Sequence, residues 1–316
     1  IQLQAKYFDT PDRLLAQHGA ALRQRFEDAC WIQTLKAAGK SHLHRFEHNH
    51  NLGELESSPE LDLSIYQAIP EAQQILTQAL GVDAAALKLT FETDIQRTYR
   101  VIEFEDAEIE VCLDVGVVRA SGREQTIHEV EFELKSGSVQ SLLAFSFEWV
   151  KKYQLWLDVR SKDEMGNLLA LEQTVSPARF EKEFVLSKKE SAAHNLSLLI
   201  GQQMQHLLPN IAAISAGVAE QSHIDQAQTA LEHLQLTLAL FKDWNSNISD
   251  KWAMQLAAFK HQFDHLQHLQ HMQSTLGAFL QNPTTTENLA KDILYAQEKL
   301  GNLVKSTQNV HHYLEL

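Results

Sequence analysis

The chain has 316 residues, with 27 Lys and Arg against 41 Asp and Glu, which gives a formal net charge of −14. A hydrophobic content of 44% excludes a disordered polymer, and the acid excess argues against a nucleic-acid partner. The two cysteines, Cys30 and Cys112, are too few for a disulfide framework, and the apolar runs are too short to span a membrane. The composition predicts a cytoplasmic globular protein with one large or two ordinary domains and no membrane partner.

Alternating polar and apolar residues predict β-strands along the first half of the chain. The predicted strands are 21–26, 31–36, 87–93, 97–105, 108–114 and 128–134. Before them, Thr10 followed by Pro11 has the chemistry of a helix N-cap and a first helical residue. An amphipathic helix is predicted from Gly137 onward.

Apolar residues at three- and four-residue spacing predict helices along the second half. The predicted helices are 186–208, 223–242, 251–281 and 286–314. Pro209 and Pro283 lie in the predicted breaks, and four helices with short connections favour an antiparallel bundle. The fold class is therefore predicted to be α+β, with a first domain over residues 1–174 and a second over 175–316. Residues 1–175 have a net charge of −11 and the remainder −3, so most of the acidity belongs to the strands.

Charged residues alternate with apolar ones on several of the predicted strands. Because alternate residues of a strand face opposite ways, Glu129, Glu131 and Glu133 share one face. Three neighbouring carboxylates repel one another without a cation, so their pKa values are predicted to be raised. The commoner interpretation of any one such strand is a charged face in water. When several strands share the pattern, a barrel with the charged faces inside becomes the alternative, able to grip phosphates and hold a divalent cation.

An ordered set of segments over roughly residues 1–172 resembles the CYTH, or triphosphate tunnel metalloenzyme, family. The segments are 7–12, 22–25, 34–36, 45–47, Arg97, 109–116, 129–137 and Ser161-Lys162. The resemblance implies an antiparallel eight-stranded β-barrel around a tunnel that binds triphosphate with a divalent metal. The helical half resembles a reduced CHAD domain in which most of the expected basic residues are replaced. The replacing residues are Gln226, Glu232, His233 and Gln235.

The resemblance also implies roles for individual residues. The phosphate-binding residues would be Arg23, Arg25, Lys36, Arg45, Arg97 and Lys162. Glu129, Glu131 and Glu133 would bind the metal, with Lys36, Glu131 and Glu133 as the catalytic residues. The supporting residues, which would orient the basic side chains or complete the outer shell of the metal, are Glu47, Glu110 and Asp114.

Two departures from the family pattern accompany this resemblance. The family's Glu-x-Glu-x-Lys strand precedes the segment that matches Asp9-Thr10-Pro11, whereas this sequence begins almost at that segment. Residues 1–8 are therefore interpreted as the second strand of the barrel, and the first is expected to be missing from this chain. Met165 stands where the family often has an arginine, three residues after Lys162.

The leading hypothesis is hydrolysis of inorganic triphosphate to diphosphate and phosphate with Mg²⁺ or Mn²⁺. Two alternatives within the family are hydrolysis of thiamine triphosphate and cyclisation of ATP by an adenylyl cyclase. A non-catalytic scaffold that binds phosphate or polyphosphate is the alternative of another class. The sequence does not reveal which of the two metals is preferred or what the oligomeric state is. It also leaves open whether longer polyphosphates are accepted.

Overall fold

The computed structural model describes residues 1–41, 44–81, 87–243, 246–276, 279 and 283–316. These residues form two compact units, one of residues 1–145 and 160–176 and the other of 146–159 and 177–316. The division at residue 174 stays a prediction, and the contacts group residues 146–159 with the second unit.

A single antiparallel sheet occupies the first unit. Its strands are β1 (Gln2–Asp9), β2 (Ala20–Glu27), β3 (Cys30–Ser41), β4 (His44–Gly53), β5 (Lys88–Phe104), β6 (Ala107–Ala120) and β7 (Arg123–Ser136). Their order across the sheet is β4-β3-β2-β1-β5-β6-β7. The α+β class and the antiparallel sheet are confirmed. The described residues contain seven strands in this sheet, where the resemblance implies eight.

Two strands differ from their prediction. The predicted strands 87–93 and 97–105 are one continuous strand, β5, because the polar residues between them still alternate with apolar ones. β4 has no predicted counterpart, since its sequence HRFEHNHNLG carries only two large apolar residues and therefore no periodic signal.

The helix predicted at Thr10 begins later in the chain. The helix α1 covers Leu14–Gln17, and the Thr10 hydroxyl accepts a hydrogen bond from the Leu14 amide at 3.0 Å. The buried carboxylate of Asp9 accepts from the amides of Leu15 and Ala16 at 2.9 and 3.0 Å. Asp9 therefore supplies most of the N-terminal capping, because its two oxygens reach two free amides.

One face of the sheet carries most of the charged residues singled out by the sequence. Register partners in an antiparallel sheet share a face, which links Thr34 to Arg23, Arg23 to Tyr7, and Tyr7 to Phe91. Arg97 lies on the same face because it follows Phe91 by an even number of residues on β5. We call this the inner face of the sheet.

Helices cover both faces of the sheet. The helix α2 (Pro70–Leu80) packs against Leu22 and Leu35, which lie on the face opposite to Arg23. The helix α4 (Lys162–Ala170) packs on the inner face, where Met165 joins an apolar cluster. That cluster is made of Leu3, Ala5, Tyr7, Phe91, Ile95, Val118, Ala120, Ile127 and Met165.

A glycine lets α4 approach the sheet closely. A Cβ atom at Gly166 would lie 2.2 Å from the ring of Phe91, so only glycine fits at this position. The apolar part of the inner face is therefore filled by α4, and its charged part is left for the candidate site.

The second unit is helical. Besides part of α3 (Val139–Tyr153), it contains α5 (Ala192–Ser215), α6 (Gln221–Leu240), α7 (Ser246–Leu276), α8 (Pro283–Val304) and α9 (Thr307–Glu315). The helix α5 packs on α6, α6 on α7, α7 on α8, and α8 on α5, around one apolar core.

Three sequence predictions can be compared with these helices. The amphipathic helix predicted from Gly137 corresponds to α3. The predicted break at Pro209 is wrong, because Pro209 lies inside α5. The predicted helix 286–314 is divided at Ser306, whose hydroxyl caps α9.

In the described part of the chain, no helix is both long and apolar enough to cross a membrane.

Candidate functional site

Arg23, Arg25 and Lys36 lie together on the inner face, and we call them the cationic cluster. The Lys36 ammonium lies 2.8 Å from Glu47, and the Arg23 guanidinium lies 3.9 Å from the same carboxylate. Arg25 pairs with Glu27 at the end of β2. Three cations therefore share two carboxylates.

Burial and mutual repulsion act on the cationic cluster. Burial and the neighbouring Arg23 lower the pKa values of both Arg25 and Lys36, and their acidic partners offset only part of this. The Nε atoms of Arg23 and Arg25 are buried and have no hydrogen-bond partner among the described residues. Buried donors without partners are costly, so this cluster gains from an added anion.

Asp114, Glu129 and Glu131 form a second group on the inner face, the acidic cluster. Each offers a carboxylate oxygen, and these oxygens lie within 4.8 Å of one another. Asp114 is opposite Glu129 in the register of β6 and β7, and Glu131 follows two residues along β7 on the same face. The side chain of Asp114 is fully buried, so its charge needs a compensating cation.

Two cations hold the acidic cluster together. Arg97 donates two hydrogen bonds to Asp114, at 2.7 and 2.6 Å, and a third to Glu131 at 2.6 Å. Lys162, the first residue of α4, lies 2.8 Å from Asp114 and 2.9 Å from Glu131, and it also contacts Glu129. These ion pairs outweigh burial and raise the pKa values of both Arg97 and Lys162.

The pKa values predicted from carboxylate repulsion alone are partly wrong. Burial would raise the pKa of Glu131, but Lys162 and Arg97 outweigh it and lower the pKa to about 2. Burial does raise the pKa of Glu129, because Lys162 offsets only part of the desolvation. The prediction failed for Glu131 because it counted the carboxylates on one strand and omitted the cations that meet them.

Glu133 and Glu110 lie apart from the acidic cluster. They pair with Lys135 at 3.1 and 3.2 Å, and Glu133 is 47% exposed. The third carboxylate of the acidic cluster, beside Glu129 and Glu131, is that of Asp114. The resemblance implies a supporting role for this residue. The sequence pattern alone could not choose between Glu133 and Asp114, because cross-strand register decides it.

The remaining predicted residues lie at the cationic end of the inner face. Glu47 pairs with Lys36 and accepts a hydrogen bond from the Asn49 amide at 3.1 Å. Arg45 is exposed on β4 and lies opposite Ala38 in the register.

The cationic and acidic clusters come close because the sheet curls. The charge of Lys36 on β3 acts on Glu131 on β7, and the charge of Arg97 acts on Arg23. β3 and β7 are near opposite ends of the strand order, so a flat sheet would keep these residues far apart. The inner face therefore presents cations and carboxylates near one another on one curled surface.

Sequence reasoning missed Asp163. Burial raises the pKa of this carboxyl to about 7, and the nearby charges of Asp9 and Glu164 add to the effect, whereas Arg45 and Arg23 oppose it. Its only signal in the sequence is its position directly after Lys162. That signal could not reveal which strands α4 approaches.

The donor atoms of the two clusters define what the inner face can bind. Three carboxylates supply hard oxygen ligands, which suit a divalent cation of the Mg²⁺, Mn²⁺ or Ca²⁺ kind. Guanidinium and ammonium groups suit phosphate oxygens. The arrangement can therefore hold an anion next to a metal ion, which is the geometry of metal-assisted anion chemistry.

The curled antiparallel sheet places a cationic and an acidic cluster on one face. A protein of this class can bind an anion next to a cation. The family model of the CYTH domain matches residues 1–164, which is more than half of the chain. The chain therefore belongs to the CYTH domain family.

The chain is also similar to curated proteins. An inorganic triphosphatase of Haemophilus influenzae is 33% identical over 191 residues, which is 59% of this chain and 51% of the relative. The chain thus spans about half the length of the curated relative it matches.

Solved structures share less of their sequence with the chain. A candidate adenylate cyclase of Bacillus halodurans is 21% identical over 51% of this chain and 79% of its own, with a TM-score of 0.35. A candidate adenylyl cyclase of Hippeastrum, described as having a dominant triphosphatase activity, is 14% identical over 55% and 83%, with a TM-score of 0.34.

Proposed function

We propose that the first unit hydrolyses inorganic triphosphate to diphosphate and phosphate with Mg²⁺ or Mn²⁺. The observation that carries this proposal is the pairing of an incompletely neutralised cationic cluster with an acidic cluster on one curled face. Membership of the CYTH family and the likeness to an inorganic triphosphatase support the same reaction.

The cationic cluster would bind the phosphates. Arg23, Arg25 and Lys36 have more positive charge than their two carboxylate partners neutralise, and Arg45 lies exposed beside them. Guanidinium groups can grip phosphate oxygens in pairs, whereas Lys36 supplies a point charge. Held this way, the phosphate chain would be oriented for attack and its growing negative charge stabilised.

The acidic cluster would hold the metal. Asp114, Glu129 and Glu131 supply the ligands, and Glu133 lies farther along the same face of β7, with Lys135. A bound divalent metal supplies Lewis acidity toward a phosphoryl oxygen and lowers the pKa of its water. Arg97 would keep Asp114 and Glu131 aligned through its three hydrogen bonds.

A second substrate class is favoured by one residue. Tyr99 is opposite Cys112 in the register, so it lies on the inner face near the acidic cluster, and it is 48% exposed. An exposed aromatic ring beside a phosphate site can stack on the ring of an organic triphosphate such as thiamine triphosphate or ATP. Tyr99→Ala would weaken the binding of an organic triphosphate and leave the binding of inorganic triphosphate unchanged.

The second unit carries a separate proposal. We propose that it is a reduced CHAD-like bundle, and that polyphosphate binding by it is weak. Two residues at the positions expected to be basic already have partners within the second unit. His233 lies 2.9 Å from Glu181, and Gln226 lies 3.0 Å from His206. A cytoplasmic location likewise remains a prediction from composition.

The test is release of phosphate from triphosphate, thiamine triphosphate, ATP and diphosphate, with Mg²⁺ or Mn²⁺. Inorganic triphosphate should be the preferred substrate, and Glu131→Gln should abolish the activity. Glu124→Gln is the matched control, because Glu124 lies on the same strand but is 51% exposed and pairs with Arg119. Absence of phosphate release from every substrate would leave the non-catalytic phosphate-binding scaffold as the surviving proposal.

A further inference from the structure

Lys162 occupies an unusual position in the acidic cluster. Its single ammonium group contacts all three carboxylates that could hold a metal, Asp114, Glu129 and Glu131. Its side chain is only 14% exposed. An ammonium ion at this point stands where a metal ion bound by the same three carboxylates would stand.

The backbone does not favour a cation there. Lys162 is the first residue of α4, directly after the N-cap Ser161, and a helix N-terminus disfavours positive charge. The acidic residues Asp163 and Glu164, also in the first turn, are the type that this position prefers. The carboxylates of the acidic cluster therefore hold the Lys162 ammonium in place.

The two cations of the cluster differ in how easily they can leave. Arg97 is fixed by three hydrogen bonds in a planar fork, two of them to the fully buried Asp114. Lys162 carries a point charge on a flexible four-carbon chain, so its ammonium can move while α4 stays packed. A divalent cation would thus replace Lys162 rather than Arg97.

We propose that Lys162 is a built-in counter-ion that the divalent metal displaces, and that the released ammonium then binds a phosphate. The second step rests on the proposed function, whereas the first rests only on the acidic cluster. Three carboxylates facing two cations have a formal charge of −1; a divalent cation that replaces the Lys162 ammonium makes the cluster neutral and leaves that ammonium free to bind an anion. Metal and anion binding are therefore coupled, each strengthening the other by the same factor.

The first experiment measures Mn²⁺ affinity of the whole chain by competition with a chelating dye, without phosphate. Lys162→Met removes the competing ammonium, so Mn²⁺ affinity should rise, by roughly tenfold. Lys135→Met is the matched control, since Lys135 bridges Glu110 and Glu133 on the same strands outside the acidic cluster. It should change Mn²⁺ affinity by less than about twofold.

An unchanged or weaker Mn²⁺ affinity in Lys162→Met would overturn the proposal, provided that thermal melting shows a folded variant. Lys162→Gln, which keeps a polar side chain, provides the same test if the methionine variant does not fold. A gain of equal size in Lys135→Met would also overturn it, because the effect would then be general charge and not displacement.

The second experiment measures binding of inorganic diphosphate at fixed free Mn²⁺ and without metal. Lys162→Met should lower diphosphate affinity by roughly tenfold with Mn²⁺, and by less than about twofold without it. Equal losses in both conditions would contradict release of the ammonium by the metal. Phosphate release from triphosphate is measured separately, so failure of the proposed reaction is distinguishable from failure of this coupling.

Discussion

The two charged clusters of the inner face are compensated in opposite ways. In the cationic cluster, burial and Arg23 lower the pKa of Lys36, and buried guanidinium nitrogens lack partners among the described residues. In the acidic cluster, Lys162 and Arg97 contact every carboxylate and lower the pKa of Glu131 to about 2. The cationic cluster can therefore accept an anion directly, whereas the acidic cluster must exchange one cation for another.

The largest expected effect comes from a variant that disrupts the acidic cluster. Arg97→Met would leave the buried Asp114 with only Lys162, and we expect it to lower the free energy of unfolding by about 3–5 kcal/mol. Arg25→Met removes a cation from the crowded cationic cluster and should leave stability unchanged or slightly higher. Urea unfolding of both variants measures the difference, and equal losses would show that the clusters are compensated alike.

A large effect on activity is expected from the cationic cluster. Lys36→Met should lower phosphate release from triphosphate by about 100-fold, because a half-buried cation that stabilises transition-state charge is lost. Its stability should hardly change, since burial already disfavours the charged lysine. Steady-state kinetics with Mg²⁺ measures this. Activity within a few fold of wild type would remove Lys36 from the proposed reaction.

Asp163 gives a pH dependence of intermediate size. Its pKa is raised from 3.8 to about 7, so between these values the folded state holds a proton that the unfolded state has released. Stability should therefore fall as the pH rises through this window, and Asp163→Asn should abolish that fall. The variant should be more stable by about 2 kcal/mol above pH 7, allowing for partial solvent screening.

Urea unfolding across the same window tests the Asp163 prediction. A variant whose stability follows the same pH dependence as wild type would exclude Asp163 as its source. Glu164→Gln is a suitable comparison, because Glu164 shares the first turn of α4 with Asp163.

The smallest predicted effect is the pH dependence of metal stabilisation. Burial raises the pKa of Glu129, so a larger share of it is protonated at about pH 5 than at about pH 8. Mg²⁺ or Mn²⁺ should therefore raise the melting temperature more at the higher pH, by a further 2–4 °C or about 1 kcal/mol. Scanning calorimetry measures this, and a shift independent of pH would argue against carboxylate ligands.

Sequence reasoning found the strand faces but not how they meet. Alternation was enough to group Glu129 with Glu131, because side chains of a strand have a fixed period of two. Choosing Asp114 over Glu133 as their neighbour requires the register of β6 and β7. Register depends on packing of the whole sheet and is not written in one strand.

The cations of the acidic cluster were harder to place. Lys162 reaches Glu131 from a helix 31 residues along the chain, so no local pattern signals the contact. The direction of the Glu131 pKa shift depends on that contact, which explains why the sequence prediction had the wrong sign. β4 was missed for the opposite reason, since its polar sequence carries no periodicity at all.

The central claim is that the two clusters act together on a triphosphate beside a divalent metal. The most direct measurement is the rate of phosphate release from triphosphate as Mg²⁺ is titrated, for wild type, Glu131→Gln and Glu124→Gln. We expect metal-dependent release by wild type and Glu124→Gln, and none by Glu131→Gln. Equal rates in all three proteins, or release that persists after chelation of the metal, would contradict the claim.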